Sequence, residues 1–245
     1  MFTLTAEGFD REMRFLDQLG KQATFVLAKT LTNTGQMVKK EVTDEMRKVF
    51  DRPTPYALRS LYLSPATKTR LETKVWFNEF GGKGTPATKF MAPQVYGGIR
   101  GLKRSEKLLQ RVGILPPGMV WVPGRGARLD AYGNISPGQI TQILSVLSAH
   151  REVGFKANIT SRSRRTNRKP RDYFATSGRG DGPNPLPAGV WEKRRDGGVK
   201  PILIFVRQSS YRPRLPFHQI AEATVRANFS RLFHQNMDQA MRSIR

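Results

Sequence analysis

One stretch of the chain decides the fold: Gly189-Val190-Trp191-Glu192-Lys193-Arg194-Arg195, then Asp196-Gly197-Gly198, then Val199-Lys200-Pro201-Ile202-Leu203-Ile204-Phe205-Val206. Asp-Gly and Gly-Gly pairs supply the positive φ angles that a tight turn between two strands needs. The apolar run after the turn has the length of a strand. The stretch therefore predicts an antiparallel hairpin. Val190 and Trp191 should lie on opposite faces, one of them buried against a helix.

Long helical segments are predicted on both sides of this hairpin. After it, apolar residues recur three or four apart over 217–244, which is the spacing of one helix face. The same spacing runs through residues 9–50. Gly20 and Gly35 are the weak points there, because glycine costs helix stability. We expect them to divide the first region into two or three helices.

Shorter elements lie between these helices. The sequence predicts a short helix with Thr54 as N-cap and Pro55 at its first position, and strands at 61–66, 71–78 and 118–121. It also predicts helices at 102–111 and 135–150, the latter with Ser136 as N-cap. Loop insertions are expected near 81–100 and 151–187. The pattern indicates an α+β fold over 1–245: one domain with a mostly antiparallel sheet, packed with long N-terminal and C-terminal helices.

Charge is the strongest functional signal. Forty-two Lys and Arg face 19 Asp and Glu, a formal net charge of +23. Such a surface repels itself unless nucleic acid, an anionic membrane or an acidic protein lies close by. Basic residues are dense in 151–187, where we expect a long mobile basic loop. The predicted contact for an anionic partner comprises Arg162, Arg164, Arg165, Arg168, Lys169 and Arg171.

Three interpretations of this basic loop are open. It contacts phosphates, it docks an acidic neighbouring subunit, or it is only a solvated loop. Tyr173 and Phe174 follow the basic run instead of alternating with it. That order argues against a platform on which bases stack.

The sequence offers little for catalysis. It has no cysteine, and His150, His218 and His234 are far apart. The sparse carboxylates have no spacing typical of acid–base or metal chemistry. The segment 81–85 departs from a phosphate-binding loop, because Gly84 follows Lys83 where Ser or Thr is needed. We therefore expect no catalytic residue, no metal and no cofactor. No signal peptide and no apolar run of membrane-spanning length is seen, so no membrane partner is expected.

Residues 187–217 carry a resemblance to a known family. Pro187-Ala188-Gly189-Val190-Trp191-Glu192-Lys193-Arg194, a turn and a Lys200-Pro201 strand are followed by Tyr211-Arg212-Pro213-Arg214-Leu215-Pro216-Phe217 and a closing helix. This order resembles the minor tail protein Z type of tailed bacteriophages, which is related to tail-completion and head–tail connector (neck) proteins. The front of the chain, a helical region, a proline-marked break and a basic strand, is similar as well. The similarity covers about two-thirds of the chain.

The resemblance implies a structural protein of the virion, without catalytic residues. It implies a homo-oligomeric ring around the DNA channel, with a hexamer as the first expectation. The implied partners are the tail tube or tail terminator, head-completion or portal-side proteins, and packaged DNA without sequence specificity. The implied location is the tail or neck of the virion, and the host cytoplasm during assembly.

Two other functions remain open from the residues. A general nucleic-acid-binding protein explains the charge equally well, but no helix–turn–helix, RNA-recognition or zinc motif is present. A nuclease needs clustered carboxylates to hold metal, and no such spacing is found.

Overall fold

The computed structural model describes residues 1–5, 22–80, 85–149, 172–178, 185–194 and 196–242. It has an α+β fold, as predicted. Internal contacts divide the chain into two compact units. Unit 1 comprises Met1–Arg100 and Tyr211–Arg245, and unit 2 comprises Gly101–Ser210. The expectation of one domain over 1–245 stays a prediction.

Unit 1 is built on two long helices and a three-stranded sheet. The helices are α1 (Gln22–Val49) and α6 (Phe217–Arg242). The strands are β1 (Phe2–Thr5), β2 (Leu61–Ser64) and β3 (Glu72–Phe77), in the order β1-β3-β2 with antiparallel neighbours. The described part of this unit also contains two shorter helices, α2 (Pro55–Leu58) and α3 (Ala87–Tyr96).

The two long helices run antiparallel. Near the start of α1, Thr30 Oγ1 accepts a hydrogen bond of 3.0 Å from Asn236 Nδ2 near the end of α6, and both residues are buried. Near the end of α1, Met46 shares an apolar core with Phe217 at the start of α6. Apolar stripes at helical spacing thus meet along both helices, which stabilises the pair by removing apolar surface from water.

Gly35 does not break the first helix, contrary to the sequence prediction. It lies inside α1, where the helix approaches the sheet so closely that a Cβ atom on Gly35 would lie 2.7 Å from Thr73 Cγ2 and 3.1 Å from Leu63 Cδ1. Glycine is therefore needed here for close packing, not for flexibility. Gly20, the other predicted break, lies outside the described residues.

We expect Gly35→Ala to lower the free energy of unfolding by about 1 kcal/mol, because overpacking outweighs the gain in helix propensity. Thr73 cannot easily turn its methyl group away, since its hydroxyl donates a 2.8 Å hydrogen bond to the Ser64 carbonyl. The double variant G35A/T73S removes that methyl and should recover most of the loss. Urea unfolding checks both variants, and equal stability of G35A and the wild type would contradict the packing argument.

The described residues of unit 2 contain a four-stranded antiparallel sheet and two helices. The strands are β4 (Met119–Pro123), β5 (Tyr173–Thr176), β6 (Gly189–Lys193) and β7 (Val199–Arg207), in the order β4-β7-β6-β5. The helices are α4 (Arg104–Arg111) and α5 (Pro137–Val146). The predicted hairpin is β6–β7, and Ser136 caps α5 by accepting a hydrogen bond from Gln139 N, as predicted.

Apolar side chains from both helices and the sheet form one core in unit 2, which includes Leu109, Ile143, Val190, Leu203 and Phe205. Val190 and Trp191 are both buried, at 0% and 7% exposure, and the register of β6 with β7 shifts between them. The Trp191 indole donates a 3.1 Å hydrogen bond to the Pro187 carbonyl. Trp191 is thus buried together with Val190, and its indole N–H has a hydrogen-bond partner.

Several sequence predictions are corrected by the fold. The strands form two sheets, one in each unit, instead of one sheet. Residues 87–96 form α3 instead of a loop, with Pro93 inside the helix. Residues 173–176 form β5 within the expected basic loop, because they pair with β6 at the edge of the sheet. Both elements are short, and prolines or charged residues lie near them. The local sequence pattern therefore did not predict a helix or a strand there.

The chain passes from unit 1 into unit 2 after residue 100 and returns after residue 210. Next to these two points, Gly98 and Tyr211 of unit 1 are hydrogen-bonded to each other. Gly98 N donates a 3.0 Å hydrogen bond to the Tyr211 carbonyl, and Tyr211 N donates one of 2.8 Å to the Gly98 carbonyl. Residues 98 and 211 therefore form a short antiparallel bridge. Unit 2 is an insertion between these two neighbouring points of unit 1.

Candidate functional site

The six predicted contact residues, Arg162, Arg164, Arg165, Arg168, Lys169 and Arg171, lie outside the described residues. The structure does place the chain on either side of them. Ala149 is buried after α5, and its N–H donates a 2.8 Å hydrogen bond to the Leu144 carbonyl. Asp172 begins the return of the chain to the sheet, where its carbonyl accepts a 2.9 Å hydrogen bond from Lys193 N. Asp172, the first described residue after the basic segment, therefore lies beside the end of β6.

This end of the four-stranded sheet, called here the cationic end, collects basic side chains from three places in the sequence. Because all neighbours are antiparallel, β4 and β6 end here while β5 and β7 begin here. The loop after β4 carries Arg125, β6 and its turn carry Lys193 and Arg194, and β7 begins with Val199 and Lys200.

Two glycines hold Arg125 against the start of β7. Gly124 N donates a 2.9 Å hydrogen bond to the Ile202 carbonyl, and Gly126 N donates one of 2.8 Å to the Pro201 carbonyl. A Cβ atom on Gly124 would lie 2.5 Å from the Pro201 oxygen, and one on Gly126 would lie 2.9 Å from Lys200 Cδ. At position 124 only glycine permits this approach, because the clash would be with backbone atoms; at position 126 it would be with side-chain atoms only. Arg125 is exposed and has no carboxylate partner among the described residues.

The other cations of this end are partly neutralised. Arg194 forms an ion pair of 2.7 Å with Asp196, and Lys200 forms one of 3.4 Å with Glu192. Lys193 Nζ lies 5.8 Å from the centre of the Phe174 ring, and no carboxylate pairs with it in the described part of the chain. Exposed pairs of the Arg194–Asp196 kind contribute little stability. Arg125 and Lys193 are therefore the cations most available to an anionic group.

Sequence reasoning missed Arg125 as a site residue. The segment Gly124-Arg125-Gly126 is too weak a pattern to predict a nucleotide-binding loop, and the sequence alone assigns it no other role. A different signal could have found it. Glycine directly after a strand indicates that another part of the backbone comes close, and this approach holds the backbone of Arg125 in place.

The positive charge is denser in unit 2 than elsewhere. Residues 101–210 contain 20 Lys and Arg against 7 Asp and Glu, a net charge of +13 within the total of +23. A surface of this kind attracts polyanions over a Debye length and can contact phosphates without reading bases. The arrangement suits electrostatic contact with an anionic partner.

The histidines do not form a site together. His218 Nε2 lies 3.2 Å from the Tyr96 hydroxyl, His234 Nδ1 lies 2.7 Å from the Ser230 carbonyl, and His150 is outside the described residues. Within the described ranges, no group of three or more His, Asp or Glu could hold a metal ion. The absence of an enzymatic function stays a prediction.

Two further findings bear on function. None of the helices in the described part of the chain is long and apolar enough to cross a membrane. Comparison with known proteins finds no family model, no curated protein and no solved structure that matches this chain.

Proposed function

We propose that the protein is a structural subunit of a tailed-bacteriophage virion, which forms a homo-oligomeric ring at the tail-completion or neck position around the DNA channel. The observation that carries the proposal is the order of elements in 187–217 and beyond. A hairpin with Lys200-Pro201 at the start of its second strand leads through Tyr211–Phe217 into α6. This is the order on which the resemblance rests.

Two properties of the described residues support the proposal. The α+β subunit has a long antiparallel helix pair with a sheet in one unit, and a second sheet with its own core in the other. A ring around DNA also needs positive charge that holds phosphates without base recognition, and the unpaired cations of the cationic end fit this need. Hexameric rings are the first expectation, since the resemblance implies a six-fold tail.

The test is the assembly state of the purified full chain. Negative-stain electron microscopy and mass in solution, each at low and high salt, should show closed rings with an open channel and give the copy number. A protein that stays monomeric at every salt concentration, yet binds duplex DNA, contradicts the proposal. That result favours the general nucleic-acid-binding protein instead.

A further inference from the structure

A small cavity in unit 1 has walls made mostly of aromatic rings. It is lined by Trp76 and Phe77 at the end of β3, Tyr96 at the end of α3 and Phe217 at the start of α6. We call it the aromatic pocket. It encloses about 80 Å³ and is partly open to solvent. Pockets that hold a drug-sized ligand measure about 300 to 1,000 Å³, so this one has room for a group the size of a single side chain.

Contacts with neighbouring residues hold the rings of the aromatic pocket in place. Phe77 and Phe217 are buried, and their ring centres lie 5.6 Å apart. The Tyr96 hydroxyl lies 3.2 Å from His218 Nε2 on α6. Because these walls are already ordered, an occupant does not have to order them when it binds.

One acid lines the same pocket. Glu79 follows β3 and is exposed. It lies inside a hydrogen-bonded turn, in which the Asn78 side chain accepts a 2.9 Å hydrogen bond from Phe80 N. Glu79 forms no ion pair with any described residue, and the described lining contains no Lys, Arg or His. Aromatic rings and a carboxylate together favour an ammonium or guanidinium group over an anion.

The surface around the pocket is apolar and aromatic. Met1 and Tyr96 are each 64% exposed, although both line the pocket. Tyr62 of β2 is 48% exposed and lies beside Trp76, with ring centres 6.2 Å apart. Tyr and Trp side chains around a pocket are typical of the centre of a protein–protein interface. A free small cation would fill the pocket and leave these rings in water, so a protein surface is the better source of the cation.

A second copy of this chain can supply that surface. Each copy has 42 Lys and Arg against 19 Asp and Glu, so two copies repel each other over most of their surfaces. A contact between copies therefore needs places where a cation of one copy meets an acid or an aromatic ring of the other. When a pocket on one copy binds a side chain from a different surface of the next copy, the contact is heterologous. Such contacts close into a ring if the rotation between copies permits it.

We infer that the aromatic pocket of unit 1 receives a Lys or Arg side chain from a second copy of this chain. The cationic group contacts the rings of Trp76 and Tyr96, and the Glu79 carboxylate neutralises its charge. This inference rests on the proposed function and deepens it, because it names a contact by which neighbouring subunits of the ring recognise each other.

The experiment measures self-association of the full chain by sedimentation velocity over a concentration series. Glu79→Lys places a cation where a cation is inferred to bind, and it should weaken self-association by about tenfold or more. The matched control is Asp238→Lys, which makes the same change in net charge. Asp238 is exposed near the end of α6 in the same unit and forms no ion pair with a described residue. The control should stay within about twofold of the wild type, because salt screens a charge outside the contact.

A second pair of variants tests the aromatic wall. Tyr96→Ala removes the ring and should weaken self-association by about fivefold or more, as for an interface residue that contributes over about 1 kcal/mol. Tyr96→Phe keeps the ring and loses only the hydroxyl group near His218, so it should associate as the wild type does. Circular dichroism verifies that all four variants are folded.

The outcomes separate this inference from the proposed function. Weaker association of Glu79→Lys and Tyr96→Ala, with both controls unchanged, supports the inference. Equal effects of Glu79→Lys and Asp238→Lys overturn it, as does full association of either Glu79→Lys or Tyr96→Ala, or a wild type that stays monomeric. Closed rings that persist in Glu79→Lys overturn the inference and leave the proposed function standing. A wild type that forms only dimers or open chains, which Glu79→Lys disrupts, supports the inference and contradicts the ring.

Discussion

Replacing Gly189 by Ala is expected to lower the free energy of unfolding by about 3 kcal/mol, at the upper end of what overpacking costs. A Cβ atom at this position would lie 2.2 Å from the Leu203 carbonyl oxygen and 3.3 Å from Ile204 Cα. Both atoms belong to the backbone of β7, the strand paired with β6, so neither can move without disturbing the ladder. For a chain of this size the loss corresponds to a melting temperature lower by about 10 °C.

Gly138→Ala is the matched control for this prediction. Gly138 lies in the first turn of α5, in the same unit, and a Cβ atom there meets nothing within 4 Å. We expect its melting temperature to equal or slightly exceed that of the wild type, since Ala favours helix over Gly. Differential scanning calorimetry of both variants measures the two melting temperatures. If G189A melts at the temperature of G138A, the close approach of β6 and β7 at Gly189 is not what stabilises the hairpin.

Replacing Phe233 by Ala is expected to cost about 3 to 5 kcal/mol, the range found for aromatic side chains removed from a core. Phe233 is 1% exposed on α6 and stacks on Phe229, with ring centres 6.5 Å apart. Its apolar core also includes Leu27 and Leu31 of α1. The cavity therefore opens between the two long helices, which cannot close it without shifting along their whole length.

Phe25→Ala tests whether the cost arises from burial. Phe25 lies on α1 in the same unit but is 42% exposed, with Lys68 Nζ 5.4 Å from the centre of its ring. Its removal should cost only about 1 kcal/mol, since nearly half of this residue's surface stays in water in the folded protein and its truncation leaves no enclosed cavity. Urea titration monitored by circular dichroism compares the two variants. Similar midpoints would contradict the assignment of Phe233 to the core of the helix pair.

Local sequence signals predicted those elements whose stability is itself local. Thr54 accepts a 3.1 Å hydrogen bond from Ala57 N and caps α2, as its position before Pro55 indicates. The hairpin of β6 and β7 follows from its turn residues and its apolar run in the same way. In each case a few neighbouring residues determine the backbone conformation.

The elements missed by sequence reasoning depend on distant partners. Gly35 stays helical because Thr73 and Leu63 of the sheet pack against it, and nothing near Gly35 in the sequence shows this. Strand β5 exists because β6 pairs with it. Arg125 reaches the cationic end because Gly124 meets Pro201. The basic segment was predicted as an anionic contact from its composition alone. Its six predicted contact residues lie outside the described residues.

The bridge between Gly98 and Tyr211 has a consequence for synthesis of the chain. A ribosome completes residues 101–210 before it reaches α6, so the inserted unit can form its core early. The apolar stripe of α1, made first, has no α6 to cover it until residues 217–242 emerge. Because domains fold as their sequences become complete, the apolar stripe of α1 stays exposed to aggregation until α6 has been made. Helix α1, although made before unit 2, is thus covered only after it.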